Sequence, residues 1–173
     1  VSTCDDGSFS PALAIHATTG ALSGTPTNDD VGDCTIQIRA SSGGDEITQV
    51  FTLTVTNTND LPTWTSTIGD FSVNAGNAVA RTAQATDVDG GDTPSYALAE
   101  PMTCDNGSWS PAPAIHATTG ALTGTPSEAD HGTCTLRIQA TAGADTITEV
   151  VTVTVVDQTP PDAPASVTNP AFG

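Results

Sequence analysis

The sequence predicts an all-β protein made of tandem β-sandwich repeats, and three observations predict it: a composition of strand and turn formers, period-two alternation of apolar residues, and internal self-similarity at a displacement of 100 residues. Thr, Ala, Gly, Ser and Val dominate, and only 4% of the 173 residues are aromatic. The 16 Gly and 12 Pro are scattered, so turns punctuate the chain throughout and no stretch keeps the apolar spacing of a helix.

The repeat is the strongest of the three. Cys4, His16, Gly20, Pro26 and Cys34 recur as Cys104, His116, Gly120, Pro126 and Cys134, and residues 3–56 align without gaps to 103–156 with 34 identities in 54 positions. A unit of about 100 residues is the size of an immunoglobulin-like sandwich and larger than the units of most solenoids. Residues 61–158 form one complete repeat, and residues 1–60 match only its last part, so the first copy is incomplete by the portion equivalent to 61–100. Residues 159–173 read as a Pro-rich linker or the start of a further domain.

Each strand is legible by alternation. Cys134, Leu136, Ile138 and Ala140 alternate with Thr135, Arg137 and Gln139, and Val151, Val153 and Val155 alternate with Thr152 and Thr154; both patterns recur in the first copy. Gly143 turns between these two strands. Upstream, Ile115 and Leu122 flank the turn Thr118-Thr119-Gly120 as a second, shorter hairpin. Strands near Phe71 to Val73, Val79 to Thr86 and Ser95 to Leu98 bring the count to about seven, as an immunoglobulin-like sandwich requires.

Charge excludes some functions. With no Lys, three Arg and a net charge of −17, the chain offers no basic surface to phosphates, so nucleic acid is not a partner. The same field repels anionic membranes and attracts divalent cations. No apolar run is long enough for direct membrane insertion. The first residue, Val1, reads as the start of a mature or excised piece of something longer.

TTGALTGTPSEADHGTCTLRIQATAG with TEVVTVTV in the second copy, and TTGALSGTPTNDDVGDCTIQIRASSG with FTLTVTNTND in the first, resemble the dystroglycan-type cadherin-like and Ig-like domains of bacterial surface proteins. That resemblance implies tandem immunoglobulin-like (cadherin-like) β-sandwiches. Where the family pattern places an aromatic residue after Asp-x-Gly-x, this chain has Cys34 and Cys134, each with an upstream partner, Cys4 or Cys104. Of the three pairings open to four cysteines, a repeat favours closure within each copy, Cys4 with Cys34 and Cys104 with Cys134. Zinc is the competing reading, but Cys-x-x-Cys spacing is absent. Disulfides indicate an oxidising location, extracellular or on a bacterial cell surface.

The resemblance also implies a metal site. In cadherin-like proteins an Asn/Asp-rich linker and an Asp-x-Asp turn together bind calcium; here Asn57, Asn59 and Asp60 are similar to the linker, and Asp87, Asp89 and Asp92 to the turn. Calcium takes about six to eight hard oxygens, which these side chains and backbone carbonyls could supply. Against it stands the reading that Asx and Gly residues simply build turns. Twelve residues from Asp87 lead to Leu98 and not to Glu, which excludes an EF-hand.

The other candidates have plainer readings. His16 and His116 lack a partner and a nucleophile and read as hairpin residues. Trp64, Trp109 and Tyr96 could stack on a glycan, but Phe9 as the counterpart of Trp109 favours packing. Acidic residues concentrate in turns, so no catalytic pair emerges and no enzyme is expected. The sequence thus suggests a structural segment, the stalk or fibre of an adhesin, stiffened by calcium. A glycan- or ligand-binding module and an accessory region of a secreted enzyme are the alternatives. Neighbouring repeats, or strands from another chain, would complete the first copy's unpaired edges, which points to a fibre or homo-oligomer.

Overall fold

The computed structural model describes residues 2–4, 9, 12–107 and 109–159. The expected linker from Pro160 onward lies outside the described residues. The chain divides into two compact units, one holding the residues up to Thr63 with Ala85–Pro94 and Thr141–Ile147, the other Trp64–Gln84, Ser95–Ala140 and the residues from Thr148. The fold is all-β and immunoglobulin-like.

In the first repeat, β1 (Ser2–Cys4), β4 (Gly32–Ser42) and β5 (Asp45–Val55) form one antiparallel sheet, while β2 (Ala14–Ile15) and β3 (Leu22–Ser23) pair separately. The β4–β5 hairpin keeps strict register from Gly32↔Val55 to Ser42↔Asp45. Its turn is Gly43-Gly44, both at positive φ (62° and 97°), the left-handed backbone that a two-residue hairpin of the primed type demands. Cys34, Ile36 and Phe9 are buried, with Leu13, Ile38, Phe51, Leu53 and Val55 packed against them.

The second repeat adds what the first does not show. β6 (Thr63–Ser66) pairs with β9 (Gln84–Thr86), and β10 (Ser95–Cys104), β13 (Gly132–Ala142), β14 (Asp145–Val156) and β7 (Phe71–Asn74) make a four-stranded sheet in that order. Opposite it, β11 (Ala114–Ile115), β12 (Ala121–Gly124) and β8 (Val79–Thr82) form a three-stranded sheet. The alternation read from sequence is realised: Leu136, Ile138, Val151 and Val153 are buried with Leu122 and Trp109, and the Thr and charged residues between them face outward. Two features differ from the expectation. β6 has no counterpart among the strands read from sequence, and the strand beginning at Ser95 runs on to Cys104.

The expected disulfides are both present, each within its own copy, at a Cα–Cα distance of 4.0 Å. Cys4 and Cys34 stand opposite one another on β1 and β4, so the bond staples a cross-strand pair.

Candidate functional site

Asp87, Asp89 and Asp92 lie on the loop after β9, and their carboxylates converge: one oxygen from each falls within 4.8 Å of the others. The loop is held by its own polar contacts. Asp89 N donates to Asp87 Oδ1 at 2.8 Å, and Asp92 N to Asp89 O at 3.1 Å. This is the turn-building role that Asx residues play without any ligand. It does not satisfy the cluster, however. Asp89 is only 4% exposed, and its Oδ1 and the Oδ2 of Asp87 are buried without a hydrogen-bond partner. A buried carboxylate oxygen left unpaired costs about 1–3 kcal/mol, more when charged, so this loop carries an uncompensated demand for a cation or donor.

The linker reaches the same place. Asp60 N donates to Asp89 Oδ2 at 2.6 Å, and Asp60 Oδ2 accepts from Asn28 Nδ2 at 2.9 Å. Asn59 Nδ2 hydrogen-bonds Asp145 Oδ2. Asn57 is exposed and takes part in none of these bonds. Gly143 shows how close the parts lie. A Cβ there would sit 2.4 Å from Asp92 Oδ2 and 2.9 Å from Asn59 Oδ1, whereas its counterpart Gly43 would meet nothing within 4 Å. Sequence reading missed Asn28, Gly143 and Asp145. Asn28 and Asp145 are separated from their partners by 32 and 86 residues, so no local pattern announces them. The donor set of hard oxygens suits a hard divalent ion such as calcium.

Two acidic residues outside the cluster do structural work. Asp30 and Asp130 are buried and accept from the backbone N and the hydroxyl of Thr27 and Ser127, at 2.7 to 2.9 Å. Ser110 N adds a third bond to Asp130, at 3.0 Å. Burial pushes the Asp130 carboxyl up, but the Ser127 hydroxyl, Ser127 N and Ser110 N together outweigh it and hold the group below its ordinary value.

The remaining candidates take their plain readings. His16 Nδ1 accepts from the N–H groups of Thr18 and Thr19 at 3.3 and 3.2 Å, and His116 does the same for Thr118 and Thr119. Each ring thus closes its own hairpin turn. Trp109 is 1% exposed and Phe9 is 4% exposed, so both are core residues and Trp109 presents no ring to a glycan. Trp64 stacks on Tyr96 with centroids 6.5 Å apart.

The comparisons agree with this architecture. Among solved structures, the chain is similar to protocadherin gamma B2 extracellular cadherin domains 1–5 (TM-score 0.58, 15% identity, covering 92% of this chain and 33% of that one). It is also similar to mouse cadherin-23 EC22–24 (0.53, 21%, 90% and 52%) and human protocadherin-24 EC1-2 (0.54, 17%, 85% and 77%). The chain spans about a third of the first of these structures, about half of the second and about three quarters of the third. None of the curated proteins compared with the chain matches it in sequence. The family described as "Putative Ig domain" matches it twice, at residues 11–56 and 61–156, and with most of its length so covered the chain belongs to that family.

Proposed function

We propose that this chain is a spacer segment of a bacterial surface protein, an adhesin stalk or fibre, whose joint between repeats is stiffened by a calcium ion. Its immunoglobulin-like and cadherin-like fold is that of a structural or adhesion-type repeat module. The fold and the two disulfides fit an extracellular protein, and among the described residues no helix is long and apolar enough to cross a membrane.

The observation that carries the calcium reading is the unpaired, buried oxygen of Asp89 beside the unpaired oxygen of Asp87. Asp87, Asp89 and Asp92 would hold the ion, with Asp60 and Asn59 at the rim. A bound divalent charge would neutralise carboxylates that otherwise repel one another across less than 5 Å. Because Asp60 belongs to the linker and the other three to a loop of the following repeat, one ion would tie the two together. The mechanism is mechanical: binding removes freedom from the Asn57–Asp60 stretch.

Calorimetric titration of calcium into chelator-treated protein, paired with melting, tests this. A ligand held at about 100 times its Kd stabilises by about 2.7 kcal/mol, and a melting-temperature rise of that origin should vanish in Asp89→Asn. Equal melting temperatures with calcium and with chelator, and no heat of binding, would eliminate the ion.

A further inference from the structure

Asn59 stands in the linker and is exposed, yet its amide is held in one sense. Nδ2 donates to Asp145 Oδ2 and, at 3.5 Å, to the carbonyl oxygen of Asp60. A carboxylate and a carbonyl are acceptors only, so the nitrogen must face Asp145 and the oxygen must face away from it. Asp145 opens β14 at the tip of the β13–β14 hairpin. That tip, Thr141–Ile147, belongs to the same compact unit as the linker and the loop at 87–92.

Gly143 marks where the amide oxygen goes. A Cβ built there would meet both Asn59 Oδ1 and Asp92 Oδ2, so the two oxygens border the same small space. The hairpin turn needs a glycine at φ 54° in any case, and that glycine leaves the space open. An amide oxygen and a carboxylate oxygen facing one space repel each other unless a donor or a cation lies between them. The carboxylate of Asp92 converges in turn on those of Asp87 and Asp89, where Asp87 Oδ2 and Asp89 Oδ1 are buried without a hydrogen-bond partner. The oxygen of Asn59 therefore joins the side of the cluster that lacks positive charge.

We propose that Asp145 is a positioning residue of the calcium site: by accepting from Asn59 Nδ2 it aims Asn59 Oδ1, as a neutral ligand, at the space bounded by Asp87, Asp89 and Asp92. The inference rests on the calcium reading and adds a third segment to it, the hairpin tip, beside the linker and the loop. An exposed amide on a linker otherwise samples several rotamers and both flips, and the ion would have to immobilise it on binding. Asp145 immobilises it beforehand. Partners of this kind orient metal ligands, and their removal typically costs about 10–100-fold in affinity.

The experiment titrates calcium into the full chain by calorimetry and counts metal-bound waters from the luminescence decay of terbium(III), a hard ion that takes the same oxygen ligands, in H2O and D2O. Asp145→Ala should bind calcium at least about tenfold more weakly and admit about one more water to terbium, in the place Asn59 Oδ1 leaves. Asn59→Ala, which leaves the hairpin untouched, should reproduce both effects. The double variant should bind no more weakly than Asn59→Ala alone, because Asp145 acts through Asn59. Asp145→Asn, whose amide oxygen still accepts from Asn59 Nδ2, should stay within about threefold of the parent. Unchanged affinity and water count in Asp145→Ala, losses that add in the double variant, or Asp145→Asn as weak as Asp145→Ala would each overturn the positioning role while the parent's own calcium binding stands. A parent chain that binds neither ion removes the calcium reading, and this inference with it.

Discussion

Leu22 and Leu122 occupy equivalent places in the repeat and offer a controlled comparison of one truncation in two environments. Leu122 is 0% exposed, between Arg81 on β8 and the core formed by Trp109, Ile138 and Val153. Leu122→Ala therefore removes a fully enclosed isobutyl group and leaves a cavity, which costs about 3 to 5 kcal/mol. Leu22 is 37% exposed, so about two-thirds of the transfer term is at stake and no closed cavity forms. Leu22→Ala should cost only about 1.5 kcal/mol. For a domain of about 100 residues these losses correspond to melting shifts of roughly 12 °C or more against roughly 6–12 °C. Native-state amide exchange reads each repeat separately, through Ile138, Val151 and Val153 in the second and Ile38, Leu53 and Val55 in the first. If Leu22→Ala costs the first repeat as much as Leu122→Ala costs the second, the face between β3 and β5 is covered in solution by something already present. The reading of Leu22 as solvent-exposed then fails.

Two further predictions concern the bonds that close each repeat. Removing the second disulfide as Cys104→Ala with Cys134→Ala should lower stability by about 3 to 4 kcal/mol, from the freed loop of 30 residues; urea denaturation that shows under 1 kcal/mol of change would contradict a structural role for the bond. Asp130 sets an acid limit. Its folded pKa is depressed, so the stability it contributes is complete above the ordinary aspartate value near 3.8 and is lost as pH falls through the lower folded value. Asp130→Asn should cost about 1 kcal/mol at neutral pH and flatten the acid limb of a melting-temperature profile, whereas an unchanged limb would assign acid sensitivity to other carboxylates.

What was legible in the sequence follows from the range over which each signal acts. Alternation is local, and it placed Leu136, Ile138, Val151 and Val153 in the core without any tertiary information. Cysteine pairing came from duplication, because a bond within each copy is the arrangement both copies can share. Asp30 and Asp130 were visible as motif residues, but their task was not. The spacing Thr27-x-x-Asp30 and Ser127-x-x-Asp130 is that of a capping box, and it was a usable signal for the short 3-10 turns that both residues close. The acidic cluster was legible in its Asp-x-Asp turn, since Asp87 and Asp89 shape their own loop. Asn28, Asp145 and Gly143 were not, because a rim assembled from side chains 32 and 86 residues from their partners exists only after the strands have paired.

The duplicated strands also separate what the fold requires from what its neighbours require. A strand face that stays in water gains nothing from apolar side chains, since burial and not strand formation is what rewards them. The outward positions behave accordingly: Glu149 stands where the first copy has Gln49, and Arg137 where it has Gln37. The inward positions do not. Ile15, Leu22 and Val55 are identical to Ile115, Leu122 and Val155, and Phe51 and Leu53 exceed Val151 and Val153 in apolar bulk. Of these five, Ile15 and Leu22 are exposed, while Phe51, Leu53 and Val55 are half-buried and pack against Cys34 and Ile36. The inward apolar positions are therefore what the two copies share, because they answer to the core of the fold and the outward positions do not.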